Sequence, residues 1–220
     1  SEYFGLYKST VHNILSTLKA MEYLEQDEET GKYRLGIQIF NLSKALGDTY
    51  SITKIAGPYM QELSNYTGER CYLALPCRQE VLYLDAMYPA DSIELMRSIL
   101  GERAQMHCTG LGKAMLANMG EREISDYLEH HKLEAFTENS IIDKKQFREE
   151  LLRTKQRGYA LDDMEHEFGI KCIAMPVFDR TKNVYAAISI SGMANHFTDA
   201  NIAEWAMLLK KYIRKIESRL

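Results

Sequence analysis

Two serines two positions apart, Ser189 and Ser191, lie in the apolar run VYAAISIS, and Cys172 opens the earlier run CIAMPVF. The polar stretch Asp179-Arg180-Thr181-Lys182-Asn183 separates the runs. Short β-rich runs around a turn cluster read as a hairpin. Residues two apart on a strand share a face, so the two serine hydroxyls point the same way. Asp162 and Asp163 stand just upstream, in what reads as a polar loop. Hydroxyls, a thiol and a carboxylate gathered on a sheet face suit the floor of a small-molecule pocket.

A second chemical feature is the stretch HCTGLGKAMLA, residues 107–117. Thr109 is the candidate cap of a helix whose first amides, at Gly110 and Leu111, favour an anion. It is not a P-loop, because no Gly-Lys-Ser/Thr follows the glycines. The expected ligand is a small hydroxy-, keto- or sugar acid. Its carboxylate would meet Gly110 and Leu111, and its hydroxyls the two serines. Asp162 would repel a carboxylate, so it is expected to hold a hydroxyl at the far end. Leu111 and Met106 would supply an apolar wall.

Cys172 beside Asp162 and Ser189 has the composition of a nucleophilic site. No histidine is placed by the sequence to activate it; His166 is nearest, in a loop of unknown direction. The expectation is a binding protein and not an enzyme. A redox or metal sensor using Cys108, His107 and Cys172 is a rival, as is a ligand-binding module without competent DNA binding. Cys71, Cys77, Cys108 and Cys172 form no CxxC pair, which points to free thiols, with no metal and no cofactor.

The elements that must carry these groups follow from periodicity. The chain of 220 residues is long enough for a sizeable core, and its net charge of −4 leaves any nucleic-acid contact to a local patch. No apolar run approaches the ~18 residues of a membrane span, and no signal peptide is evident, so a cytoplasmic location is expected. Residues 52–66 read as a helix. Strands are expected at 70–75, 81–85 and 93–98, joined by short turns and hence antiparallel. Residues 121–131 and the stretch after Asp143 read as helices, the latter stopped by Gly158. Thr198 caps a last helix striped by Ile202, Trp205, Leu209 and Ile213.

The N-terminal end has its own pattern. Ser9 or Thr10 is the expected cap of a helix whose core face is Val11, Ile14, Leu15, Leu18 and Met21. The opposite face shows Lys8, Ser9, Thr10, His12 and Asn13, groups suited to phosphates and base edges. Two short strands around Asp27–Gly31 then make a hairpin, with Lys32 and Arg34 on its return. A helix followed by such a wing is the second half of a winged helix-turn-helix. Residues 36–50 read as a linker helix striped by Ile39, Phe40, Leu42 and Leu46, fit for a dimer contact.

Three stretches in this order, LYKSTVHNILSTL, HCTGLGKAMLA and GYALDDMEHEFGIKCIAMPVFD with AAISISG, resemble the IclR family of bacterial transcriptional regulators. The resemblance spans essentially the whole chain. It implies an α+β protein: a winged helix-turn-helix (1–35, truncated), a linker helix (36–50) and a GAF-like antiparallel sheet with flanking helices (51–220). It implies double-stranded operator DNA as partner, a small carboxylate metabolite as effector, and a homodimer or homotetramer. Carried over by position, DNA contacts fall to Lys8, Ser9, Thr10, His12, Asn13, Lys32 and Arg34. Effector contacts fall to Gly110, Leu111, Asp162, Cys172, Ser189 and Ser191. Two departures stand out: Asn13 where many members have Arg, and Glu22 where a turn glycine is common. On this resemblance the first helix and part of the second lie outside these residues, and DNA binding by this stretch alone is expected to be weak.

Overall fold

The structure, a computed structural model, describes residues 4–49, 52–91 and 99–220. The chain divides into two compact units, residues 1–51 and 52–220. The strand expected at 93–98 lies outside the described residues.

The first unit holds helix α1 (Lys8–Ala20), a ribbon of β1 (Leu24–Gln26) and β2 (Tyr33–Leu35), and helix α2 (Ile37–Thr49). The cap differs from expectation. Tyr7 occupies the N-cap position without a side-chain hydrogen bond, and Ser9 and Thr10 are already helical. The expected core face is also open: no residue of α1 is buried, and Ile14 and Met21 are exposed. One helix and a two-stranded ribbon present too little surface to cover that stripe. On α2, Phe40 and Leu42 are exposed as well, while the side chain of Leu46 lies outside the described set.

Glu22 explains how a non-glycine residue serves the turn after α1. It takes a left-handed backbone, φ 59°, while its N–H donates to Lys19 O and that of Tyr23 to Leu18 O. Two such backward bonds close a helix in the manner usually given to glycine. The turn geometry is therefore kept, with the steric cost of a Cβ in that region. Glu22→Gly is expected to raise stability by about 1 kcal/mol, checked by chemical denaturation; an unchanged or lowered midpoint contradicts this.

The second unit is a six-stranded antiparallel sheet between two helical layers. Strands β3 (Arg70–Cys77), β4 (Glu80–Met87), β5 (Arg103–Gln105), β6 (Ala160–Asp163), β7 (Ile170–Phe178) and β8 (Val184–Met193) lie in the order β5-β4-β3-β8-β7-β6. Helices α3 (Ile52–Thr67) and α7 (Asp199–Glu217) cover one face; α4 (Gly110–Leu116), with α5 (Glu121–His130) and α6 (Lys144–Arg157), covers the other. Caps explain these boundaries: the side chains of Thr109, Asp143 and Thr198 accept first-turn N–H groups of α4, α6 and α7. Gly158, at φ 84°, ends α6 in the left-handed region that glycine adopts without strain.

Strand alternation separates two kinds of residue. Ile173, Ile188 and Ile190 point towards the α3 and α7 layer, while Cys172, Ala174, Ala187 and Ser189 point towards α4. The small residues let α4 sit close. A Cβ on Gly110 would fall 2.8 Å from Cys172 Sγ, and one on Gly112 would fall 2.3 Å from Met106 Cα.

Candidate effector site

Two adjacent cross-strand rows build the site. In the first, Asp162 pairs with Cys172, Cys172 with Ser191, and Ser191 with Arg70. In the second, Ala160 pairs with Ala174, Ala174 with Ser189, and Ser189 with Tyr72. A bulge between Leu73 and Ala74 then shifts the β3–β4 register, so that Tyr83 rather than Leu84 stands opposite Ala74. Bulges re-aim side chains. Tyr83 thereby meets Tyr72 edge-on, ring centroids 5.7 Å apart.

These rows face a cavity of about 700 Å³. Gly110, Leu111, Asp162, Cys172, Ser189 and Ser191 all line it. Met106 does not; it is buried under α4 and faces a separate cleft. Asp162 and Asp163 are not in a loop: they end the short edge strand β6. Arg70, Tyr72, Tyr83 and His166 also line the cavity, and sequence reasoning had given none of them a ligand role.

The electrostatics run from one end of the first row to the other. Three strand spacings separate Asp162 from Arg70, roughly 14 Å. Burial pushes the Asp162 carboxyl up to about 7, although it accepts the Glu165 N–H at 2.8 Å. Near neutral pH this group exists partly as a neutral acid, able to donate a hydrogen bond. At the far end the Arg70 guanidinium hydrogen-bonds the Tyr72 hydroxyl. Ser189 is fully buried; its hydroxyl is directed at the Cys172 sulfur and meets no oxygen or nitrogen partner among the described residues.

The expected polarity needs correction on one point. Gly110 packs on the Cys172 sulfur, and its amide is directed there. Asp162 neighbours Cys172 across the β6–β7 ladder. Gly110 and Asp162 thus share one end of the cavity and do not oppose each other.

Thiol chemistry is suppressed by burial. The Cys172 thiol is pushed far above its ordinary range by desolvation, with the Asp162 carboxylate adding to it. His166 is directed at Cys108, Nδ1 3.5 Å from Sγ, and not at Cys172. Desolvation pushes the Cys108 thiol up to about 12 and the His166 imidazole down, so the pair is a neutral thiol beside a neutral ring. His107 instead places Nε2 2.9 Å from the Glu134 carbonyl. Among the described residues no group of three or more His, Cys, Asp or Glu side chains is placed to hold a metal ion.

A buried ion pair supports the cavity wall. Lys113, on α4 and fully buried, pairs with Glu165 from the loop between β6 and β7. Burial pushes the Glu165 carboxyl up, and the Lys113 ammonium pulls it partly back. Burial also works against ionised Glu150, but Lys113, Arg153 and Arg157 outweigh it and hold that carboxyl below its usual range. The loop is tied again by Thr137, which donates to Met164 O at 2.6 Å, and by Ser140, which donates to Glu165 O at 2.6 Å.

In the first unit, Lys8, Ser9, Thr10, His12 and Asn13 are all exposed at the start of α1. Lys32 and Arg34 are exposed on the ribbon, where Arg34 pairs with Glu25 at 2.7 Å. A helix and wing in one unit, and a cavity-bearing antiparallel sheet in the other, form the layout of a transcriptional regulator with its own sensing domain.

Comparison with known proteins agrees. Residues 44–218 match the model of the bacterial transcriptional regulator IclR C-terminal domain, and residues 1–28 that of the IclR helix-turn-helix domain. The chain is 32% identical to the HTH-type transcriptional regulator XynR of Escherichia coli, over 96% of this chain and 83% of that protein. It resembles the crystal structure of Thermotoga maritima IclR with a TM-score of 0.81 at 30% identity, covering 100% of this chain and 88% of that one. An IclR homologue from Microbacterium hydrocarbonoxydans, crystallised with 4-hydroxybenzoate, has the same fold, with a TM-score of 0.84 at 22% identity over 97% and 85% of the two chains. The chain belongs to the IclR family of bacterial transcriptional regulators. No helix among its described residues is long and apolar enough to cross a membrane.

Two outcomes follow from the buried charges. Lys113→Met is expected to cost roughly 3–5 kcal/mol by stranding Glu165, and Lys113→Met with Glu165→Leu to recover most of it; additive losses in denaturation would contradict the pairing. A raised folded-state pKa at Asp162 means that the native state holds a proton which the unfolded chain releases near pH 4. Stability therefore falls as pH rises from about 4 to about 7, by up to ~1.4 kcal/mol per pH unit from this group. Asp162→Asn should flatten that slope, and an unchanged slope would place the titration elsewhere.

Proposed function

We propose that this regulator binds operator DNA through Lys8, Ser9, Thr10, His12, Asn13, Lys32 and Arg34, and that a small hydroxy-, keto- or sugar acid in the sheet cavity controls that binding. The effector's carboxylate lies at the Arg70 end, over Ser191 and within reach of the tyrosine hydroxyls. Its hydroxyl lies towards Asp162, and its body against Leu111, Cys172 and Ser189. The observation that supports the reading is a cavity with a guanidinium at one end and a partly neutral acid at the other, joined by the row Cys172–Ser191. The 4-hydroxybenzoate held by the Microbacterium homologue is an acid with a hydroxyl at its opposite end, and that pattern suits this cavity.

The protein works as a homodimer or homotetramer. Exposed Leu35, Ile37, Phe40 and Leu42 in the first unit supply apolar surface for such a contact. Effector binding tilts α2 and alters the spacing of the paired α1 helices, because a ligand regulates only by preferring one of two arrangements.

Calorimetry with hydroxybenzoates, short keto acids and sugar acids tests the effector class. At least one acid should bind, and Arg70→Gln should weaken it about tenfold or more. Binding of a neutral aromatic with no heat from any acid would overturn the assignment. Gel shifts with the full regulator should show a changed operator affinity at saturating acid; an unchanged affinity would sink the control model.

A further inference from the structure

A second cleft, of about 560 Å³, shares no lining residue with the effector cavity. It lies where the tips of the β3–β4 and β7–β8 hairpins meet the start of α5. Its accessible apolar surface is Pro76, Met119 and Val184, with Met106, Leu116 and Tyr127 buried beneath. Its rim carries Arg78, Arg122 and Lys182, none of which has an ion pair or side-chain hydrogen bond among the described residues. The acids beside them are engaged. Glu123 accepts the Gly120 N–H at 2.9 Å, and Asp126 takes the Gln79 amide and the His130 ring.

The backbone points the same way. Arg78 and Gln79 are the two residues of the β3–β4 turn, with φ of 52° and 63°. Lys182 has φ 67° in the next hairpin tip, where Asp179 accepts the N–H groups of Thr181 and Asn183. Such tight turns are ordinarily filled by glycine or asparagine, which meet these angles at little cost. Long side chains here cost of order 1 kcal/mol each or more, and each of the three reaches the cleft. Strain of this kind persists where a side chain is needed.

We propose that this cleft is a second ligand site, for a phosphate monoester on an organic body. A phosphomonoester carries close to two negative charges and three strong acceptor oxygens at neutral pH, which suits two arginine forks and a lysine. The organic body rests on the half-buried Pro76, Met119 and Val184. The site is independent of the effector assignment, since the two share no residue.

The test is calorimetry on the whole chain at low salt with glucose 6-phosphate, glycerol 3-phosphate and phenyl phosphate, against inorganic phosphate and sulfate. At least one ester should bind ten times more tightly than sulfate. Arg122→Gln and Arg78→Asn should each weaken that binding about fivefold or more; asparagine keeps the left-handed turn while removing the charge. Sulfate binding as tightly as every ester, an adventitious ion only, overturns the proposal. So does ester affinity unchanged in both variants. A shift in oligomeric state on sedimentation of either variant also overturns it, because the cleft would then be an interface between copies.

Discussion

The second unit depends on one buried attraction, that between Lys113 and Glu165. Lys113 stands on the short helix roofing the cavity, and Glu165 on the loop that forms its side. Removing both charges from water carries a penalty of several kcal/mol per ion, which their proximity must offset. Neither partner can leave alone without stranding the other. Helix, loop and edge strand are therefore held as one wall, which buries the nearby carboxyl of Asp162 and so raises it, while the Lys113 and Glu165 charges act on it in opposite directions.

Against that wall, the sheet is asymmetric for a packing reason. One face carries large aliphatic side chains and is sealed by α3 and α7. The other carries cysteine, alanine and serine, so α4 can approach closely over one part and leave a void over the rest. The same small residues that admit Gly110 against Cys172 leave Ser191 at the edge of the void, with Ser189 buried beside it. Close packing and an open binding site thus arise from one choice of side-chain size.

Much of this was legible in the sequence because alternation is local. The hairpin of β7 and β8, the shared face of the two serines, and the caps at Thr109, Asp143 and Thr198 all follow from neighbours a few residues apart. What was missed depends on distant contacts. Two aspartates ending a four-residue strand read as loop, because only pairing with Cys172 and Lys171 makes them strand. Nothing local marks Lys113 as buried, since its partner lies 52 positions away. The register shift that turns Tyr83 inwards leaves no local signature. Nor did periodicity reveal that the apolar stripe of α1 stays open, since it marks a face without saying what covers it.

The account turns on whether the two cross-strand rows are where an effector lies. The most direct measurement is a crystal structure with the tightest-binding organic acid. The account predicts density over the row from Asp162 to Arg70, with the carboxylate at the arginine and a hydroxyl towards Asp162. Density in the cleft under the hairpin tips, or a sheet cavity left filled by its own side chains, would contradict it.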